Sequence, residues 1–134
     1  FFCMDKDKIL TQARKHLKPG GQLLFTDYVL ADTVNLDGLG GWAESEHLAP
    51  CPWRPSETAS CLKSLGFDLR VAQDMTDVQL KLIMARLTEF HSFLTEHEVD
   101  PETTQAVAAE IALWARRAEA LRHGLKLYRV HCIV

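Results

Sequence analysis

The stretch Lys8-Ile-Leu-Thr-Gln-Ala-Arg-Lys-His-Leu-Lys-Pro-Gly-Gly-Gln-Leu-Leu-Phe-Thr-Asp-Tyr28 decides the fold. Ile9, Leu10, Ala13 and Leu17 recur at helical spacing, so Asp5 to Leu17 reads as an amphipathic helix. Lys18-Pro19-Gly20-Gly21 ends it, because proline cannot continue a helix and glycine admits the positive φ of a tight reversal. Gln22 to Leu30 then reads as a strand, and the successive apolar residues Leu23-Leu24-Phe25 predict a strand covered on both faces. Helix, tight turn and central strand make up half of a βαβ unit, hence an α/β fold.

Outward from that unit, Asp32 to Pro55 is rich in glycine and proline and carries Trp42, His47, Trp53 and Arg54. It reads either as a lid or pocket wall, or as a loop whose tryptophans plug apolar gaps. Ser56 is placed to cap a helix running to Leu65 and stopped by Gly66. Phe67 to Ala72 alternates apolar and polar residues, as a half-exposed strand near a sheet edge does. Thr76-Asp-Val-Gln79 reads as a capping box opening a helix with the stripe Leu80, Ile83, Leu87, Phe90 and Leu94. Pro101 opens another, with Val107, Ile111, Trp114, Ala118 and Leu121 in the same rhythm, so a packed antiparallel pair is expected over about residues 76–123. Lys126 to Val134 closes the chain as a strand.

Composition narrows the class. With 47% hydrophobic and 25% charged residues, the 134-residue chain matches one globular domain. A net charge of -3 argues against a nucleic-acid or anionic-membrane surface, and no apolar run is long enough to span a bilayer. Four cysteines without a C-x-x-C pair, and six histidines without i,i+4 spacing, predict no metal site and reduced thiols in a cytoplasmic setting. The start Phe1-Phe2-Cys3 has no initiator methionine and no signal segment, so the chain reads as a fragment.

The Lys8–Tyr28 stretch resembles the helix, L-K-P-G-G turn and fifth strand of class I S-adenosylmethionine-dependent methyltransferases. Leu62-Lys-Ser-Leu-Gly-Phe-Asp-Leu-Arg-Val71 is similar to their passage into strand six, and Tyr128-Arg-Val-His-Cys-Ile-Val134 to their antiparallel strand seven. Members acting on small amines show a similar T-D-Y after strand five. The resemblance implies that residues 1–134 are the C-terminal half of a Rossmann-like methyltransferase sheet, with a long helical pair inserted between strands six and seven. Strand seven is then expected between the other two and antiparallel to both. Gly38-Leu-Gly-Gly41 is not the family's glycine-rich first turn, since no strand precedes it and no helix onset follows in register. S-adenosylmethionine is thus expected for the intact enzyme, while this chain alone is expected to be inactive and to hold no cofactor.

What remains belongs to the methyl acceptor, a small molecule. Ligands in open α/β sheets lie beyond the carboxyl ends of strands, where the resemblance places Asp27 and Tyr28. Asp27 reads rather as the cap of the following turn. Trp42, His47, Trp53 and Arg54 join them as substrate-binding candidates by loop position alone, His47 as a possible base or a solvated histidine, and no catalytic residue is assigned. Arg129 and His131 alternate along the last strand as solvent-facing residues. An exposed edge on the Gln22–Leu30 strand, with no lysine or proline in Leu23-Leu24-Phe25, predicts a homodimer. A non-catalytic α/β module for dimerisation or partner binding is the competing function.

Overall fold

The computed structural model describes residues 5–39, 41–46 and 51–134. Helix α1 (Lys6–His16) precedes strand β1 (Gln22–Leu30); a 3-10 turn (Leu36–Leu39) and the one-turn helix α2 (Trp42–Ser45) follow. Then come α3 (Pro55–Ser64), β2 (Asp68–Asp74), the long helices α4 (Thr76–Glu96) and α5 (Pro101–Arg122), and β3 (Leu125–Ile133).

The sheet order is β1-β3-β2, and β3 runs antiparallel to both neighbours, as expected for a strand seven between strands five and six. Its register pairs Asp27 with Tyr128 and Tyr28 with Leu127. Two cores result, one on each sheet face. On one, Leu10, Leu62, Phe67, Val130 and Cys132 join the sheet to α1 and α3. On the other, Tyr28, Leu30, Trp42, Ile83, Leu121 and Leu125 join it to α2, α4 and α5.

Local chemistry differs from the sequence reading at four places. β1 is buried only from Asp27 to Leu30; Leu24 is 65% exposed, so the amino-terminal half is not covered on both faces. β2 begins at Asp68 and carries a register shift between Leu69 and Val71, and its residues are exposed throughout, as an edge strand bent by a bulge can be. Ser56 lies inside α3: Pro55 opens the helix, and the Glu57 carboxylate accepts the Arg54 N–H at 2.6 Å. Asp74, not Thr76, caps α4 by accepting the Thr76 N–H at 2.8 Å together with its hydroxyl. Thr76 is instead an acceptor for the Leu127 N–H at 3.1 Å, which ties the start of α4 to β3. The α5 start is as read: Asp100 accepts the Thr103 N–H at 2.9 Å ahead of Pro101. Arg129 and His131 are drawn onto the strands beside them, to Gln73 and Gln22 at 2.5 and 2.9 Å.

Candidate functional site

Asp27 and Tyr28 are consecutive in β1, so the pleat sends their side chains to opposite faces. The reversal at Pro19–Gly21 lays α1 back along β1 and brings Lys6, from its first turn, to Asp27. Lys6 Nζ donates to Asp27 Oδ2 at 2.5 Å, and both side chains are 3% exposed. Nζ also lies 5.7 Å from the centroid of the Trp53 ring, a cation–π distance. Trp53 is held by its backbone: its carbonyl accepts the Leu30 N–H at 2.9 Å, extending β1 by a parallel bridge with Val29. Burial pushes the Asp27 carboxyl above its ordinary 3.8, against the opposing pull of Lys6. The cavity between Asp27 and α3, lined also by Thr58, Leu62 and Tyr128, measures about 20 Å³, room for a water and too little for an organic acceptor.

The opposite face is built differently. Tyr28 meets Trp42 edge-on, centroids 5.9 Å apart at 69°, and the fully buried Trp42 donates its indole N–H to Glu46 Oε1 at 2.8 Å. Glu46 also takes a two-pronged bond from Arg117 of α5, Nε at 2.6 Å and Nη2 at 2.7 Å. The guanidinium lies 4.4 Å over the Trp114 ring. Gln79, from the first turn of α4, acts on the Tyr28 hydroxyl and pulls its pKa down against burial. Burial pushes the Tyr28 hydroxyl above its ordinary 10.0, with Arg117 opposing and Glu46 assisting. The Glu46 hydrogen bonds raise Arg117, against desolvation. Tyr28 therefore stays a neutral phenol at physiological pH, able to donate one hydrogen bond and offer a ring face. This cluster is suited to holding a polar or cationic group in place; proton transfer near neutrality is outside the reach of Tyr28.

The six sequence-derived candidates thus divide. Tyr28 and Trp42 meet on the α4–α5 face; Asp27 and Trp53 flank Lys6 on the other. Arg54 turns its guanidinium to the backbone, donating to the carbonyls of Ala31 at 2.7 Å and Val34 at 3.2 Å, and so pins the loop to the end of β1. His47 lies outside the described residues. Lys6, Glu46, Gln79 and Arg117 went unrecognised in the sequence. A lysine in a helix's first turn opposes the helix dipole, a faint sign that Lys6 serves a partner elsewhere. Glu46 stands four residues from Trp42, within reach on a helical turn. Nothing in the sequence joins Arg117 to Glu46 across 71 positions. Cys61 is no nucleophile: burial and the neighbouring Asp7 push its thiol up to about 11.

No family model matches the chain, and no curated protein sequence matches it. Solved structures do match. Phosphoethanolamine N-methyltransferase 2 of Haemonchus contortus, in complex with phosphomonomethylethanolamine and S-adenosylhomocysteine, is 16% identical over 97% of this chain, with a TM-score of 0.75. A cyclopropane synthase of Mycobacterium tuberculosis is 12% identical over 97%, with a TM-score of 0.78. A 4+2 cyclase is 16% identical over 97%, with a TM-score of 0.66. The chain spans 30%, 50% and 45% of those three proteins. Its fold is that of the C-terminal part of class I methyltransferases.

Proposed function

We propose that the chain is the acceptor-side part of an S-adenosylmethionine-dependent methyltransferase acting on a small molecule in the cytoplasm. The observation that carries this is the Tyr28–Trp42–Glu46–Arg117 cluster, built at the carboxyl end of a strand in that fold, where open α/β sheets place their ligands. The methyltransferase of Haemonchus contortus binds phosphomonomethylethanolamine, which favours a small amine as the acceptor class.

S-adenosylmethionine would supply a sulfonium methyl group. The described residues do not build a cradle for it: Gly38 sits in the 3-10 turn, and Gly41, at φ +75, precedes a helix of four residues with no strand feeding it. The contribution of this chain is then positioning and exclusion of water, the main demands of an in-line displacement. Tyr28 would orient the acceptor through its hydroxyl, with Gln79 and Trp42 beside it. Glu46 and Arg117 would keep the α2 segment closed over the site. Helices α4 and α5, as an insertion over about residues 76–123, would form its outer wall.

In the enzyme that contains this chain, Tyr28→Phe is expected to raise the acceptor KM about fivefold, the value of one hydrogen bond, with cofactor affinity unchanged. Trp53→Ala, on the sheet face whose cavity has no room for an acceptor, is expected to leave acceptor kinetics unchanged. Intact acceptor kinetics with collapsed cofactor affinity in Tyr28→Phe would put the pocket on the wrong side. The fold also carries a cyclase, so fold alone does not fix the chemistry. A non-catalytic partner-binding module is the reading left standing if no methyl transfer is found.

A further inference from the structure

We infer that the cavity on the α1–α3 face of the sheet binds one water molecule, which donates to Asp27 Oδ1 and to the Thr58 hydroxyl oxygen. This water closes the Lys6–Asp27 pair into a network joining α1, β1 and α3, and it stands independently of the methyltransferase reading above. Asp27 Oδ2 takes the Lys6 ammonium at 2.5 Å, but Asp27 Oδ1 is buried with no hydrogen-bond partner among the described residues. Burial raises this carboxyl and Lys6 opposes it; the Tyr28 N–H is the least of the opposing influences and makes no hydrogen bond to Oδ1. A buried carboxylate oxygen without a donor forfeits the whole of its solvation, which is why such atoms in folded proteins are bonded to protein or to ordered water.

The space for the missing donor lies beside it. Asp27 lines a cavity of about 20 Å³ between the sheet and α3, walled by Val29, Leu62 and Val130. A water needs about 10–15 Å³ and two to four polar partners. Thr58, in the same lining, is 6% exposed, and its hydroxyl donates to the Arg54 carbonyl at 3.4 Å, which leaves the oxygen free to accept. Tyr128 pairs directly across from Asp27 in the β1–β3 ladder and brings a second hydroxyl-bearing side chain to the cavity. The charge of the site selects the ligand. A carboxylate oxygen calls for a donor, while the Lys6 ammonium already beside Asp27 repels a second cation. Among the described residues no group of three metal-ligating side chains occurs. A single neutral donor of the size of water satisfies both the volume and the charge. Through Thr58 the tie reaches α3, so the buried pair anchors both helices of this face to the sheet.

The test is a high-resolution crystal structure of this chain, paired with oxygen-17 relaxation dispersion of the solvent, which counts waters held longer than the protein tumbles. The wild-type chain is expected to show one density peak about 2.8 Å from both Asp27 Oδ1 and Thr58 Oγ1. Thr58→Val keeps the shape of the side chain and removes its hydroxyl, so the peak should vanish and the count of held waters should fall by one. Thr88→Val, whose exposed hydroxyl bonds the Met84 carbonyl on α4, should leave both readings unchanged. An empty cavity in the wild-type chain would overturn the inference, and so would Asp27 Oδ1 bonded directly to the hydroxyl of Tyr128 or Thr58. A count that stays the same in Thr58→Val would overturn it as well. Should Thr58→Val fail to fold, the wild-type density decides alone.

Discussion

Gly124 and Glu46 show what a single residue decides in this molecule. Gly124 turns α5 into β3 at φ +113, and a Cβ there would meet Val34 Cγ2 at 2.4 Å. Its carbonyl also accepts the Ala31 N–H at 2.9 Å, so the turn cannot drift away from the loop. Gly124→Ala is therefore expected to cost about 2 kcal/mol or more, combining an unfavourable backbone with a clash, read as a lowered denaturation midpoint. Glu46 is 8% exposed and receives both Trp42 and Arg117. Glu46→Gln leaves Arg117 nearly buried without its counter-charge, at an expected cost of about 3 kcal/mol in chemical denaturation. A loss below about 0.5 kcal/mol would mean that the pair is as weak as a surface one.

At the scale of elements, the long helices are held by their first turns. Asp74 joins β2 to α4: Thr76 gives it an N–H and a hydroxyl, and Lys126 lies 3.7 Å away. Partial burial works to raise its carboxyl, but the Thr76 bonds and Lys126 outweigh it and hold the group below 3.8. A carboxyl depressed in the folded state adds stability above its unfolded pKa and loses it as pH falls through the folded value. Stability should therefore decline below about pH 4. Asp74→Ala should make that acid limb shallower in a pH series of melting temperatures, besides costing about 1 kcal/mol at neutral pH through the lost cap. An identical acid limb in the variant would remove Asp74 from the account. Asp100 and Glu119 are depressed as well, each chiefly by hydrogen bonds, so the limb should flatten without vanishing.

At the scale of the whole molecule, β1 leaves apolar surface open: Leu24 is 65% exposed on the strand and Ile9 40% exposed on α1. Such a strand edge is a template for another copy of the chain, and a twofold pair through β1 is the simplest closed arrangement. The isolated chain is expected to sediment as a dimer, and Leu24→Lys to return it to monomer, because a lysine on an edge discourages pairing. Titration of the same sample with S-adenosylmethionine should show no saturable binding. A monomeric wild-type chain, or micromolar cofactor affinity, would each contradict this picture.

The sequence by itself determined seven elements, α1, β1, α3, β2, α4, α5 and β3, and their order, but not the 3-10 turn and α2 that the structure places in the stretch read as a loop. The Pro19–Gly21 break between a helical stripe and an apolar run, the G-F passage at Gly66-Phe67, and Asp100-Pro101 are local signals, and local propensity acts within a few residues. It also determined the aromatic character of the segment after β1. Tertiary structure decided which face each candidate serves. Asp27 and Tyr28 look like one site in a linear reading; the pleat parts them, one to Lys6 and Trp53, the other to Trp42, Gln79 and Arg117. Arg54, a pocket candidate by position, found backbone carbonyls within reach once the loop closed. The physical reason is range: a turn or a cap is fixed by neighbours along the chain. The Glu46–Arg117 and Lys6–Asp27 pairs exist only because packing brings distant segments to hydrogen-bond distance, where burial makes an unpaired charge too costly to leave.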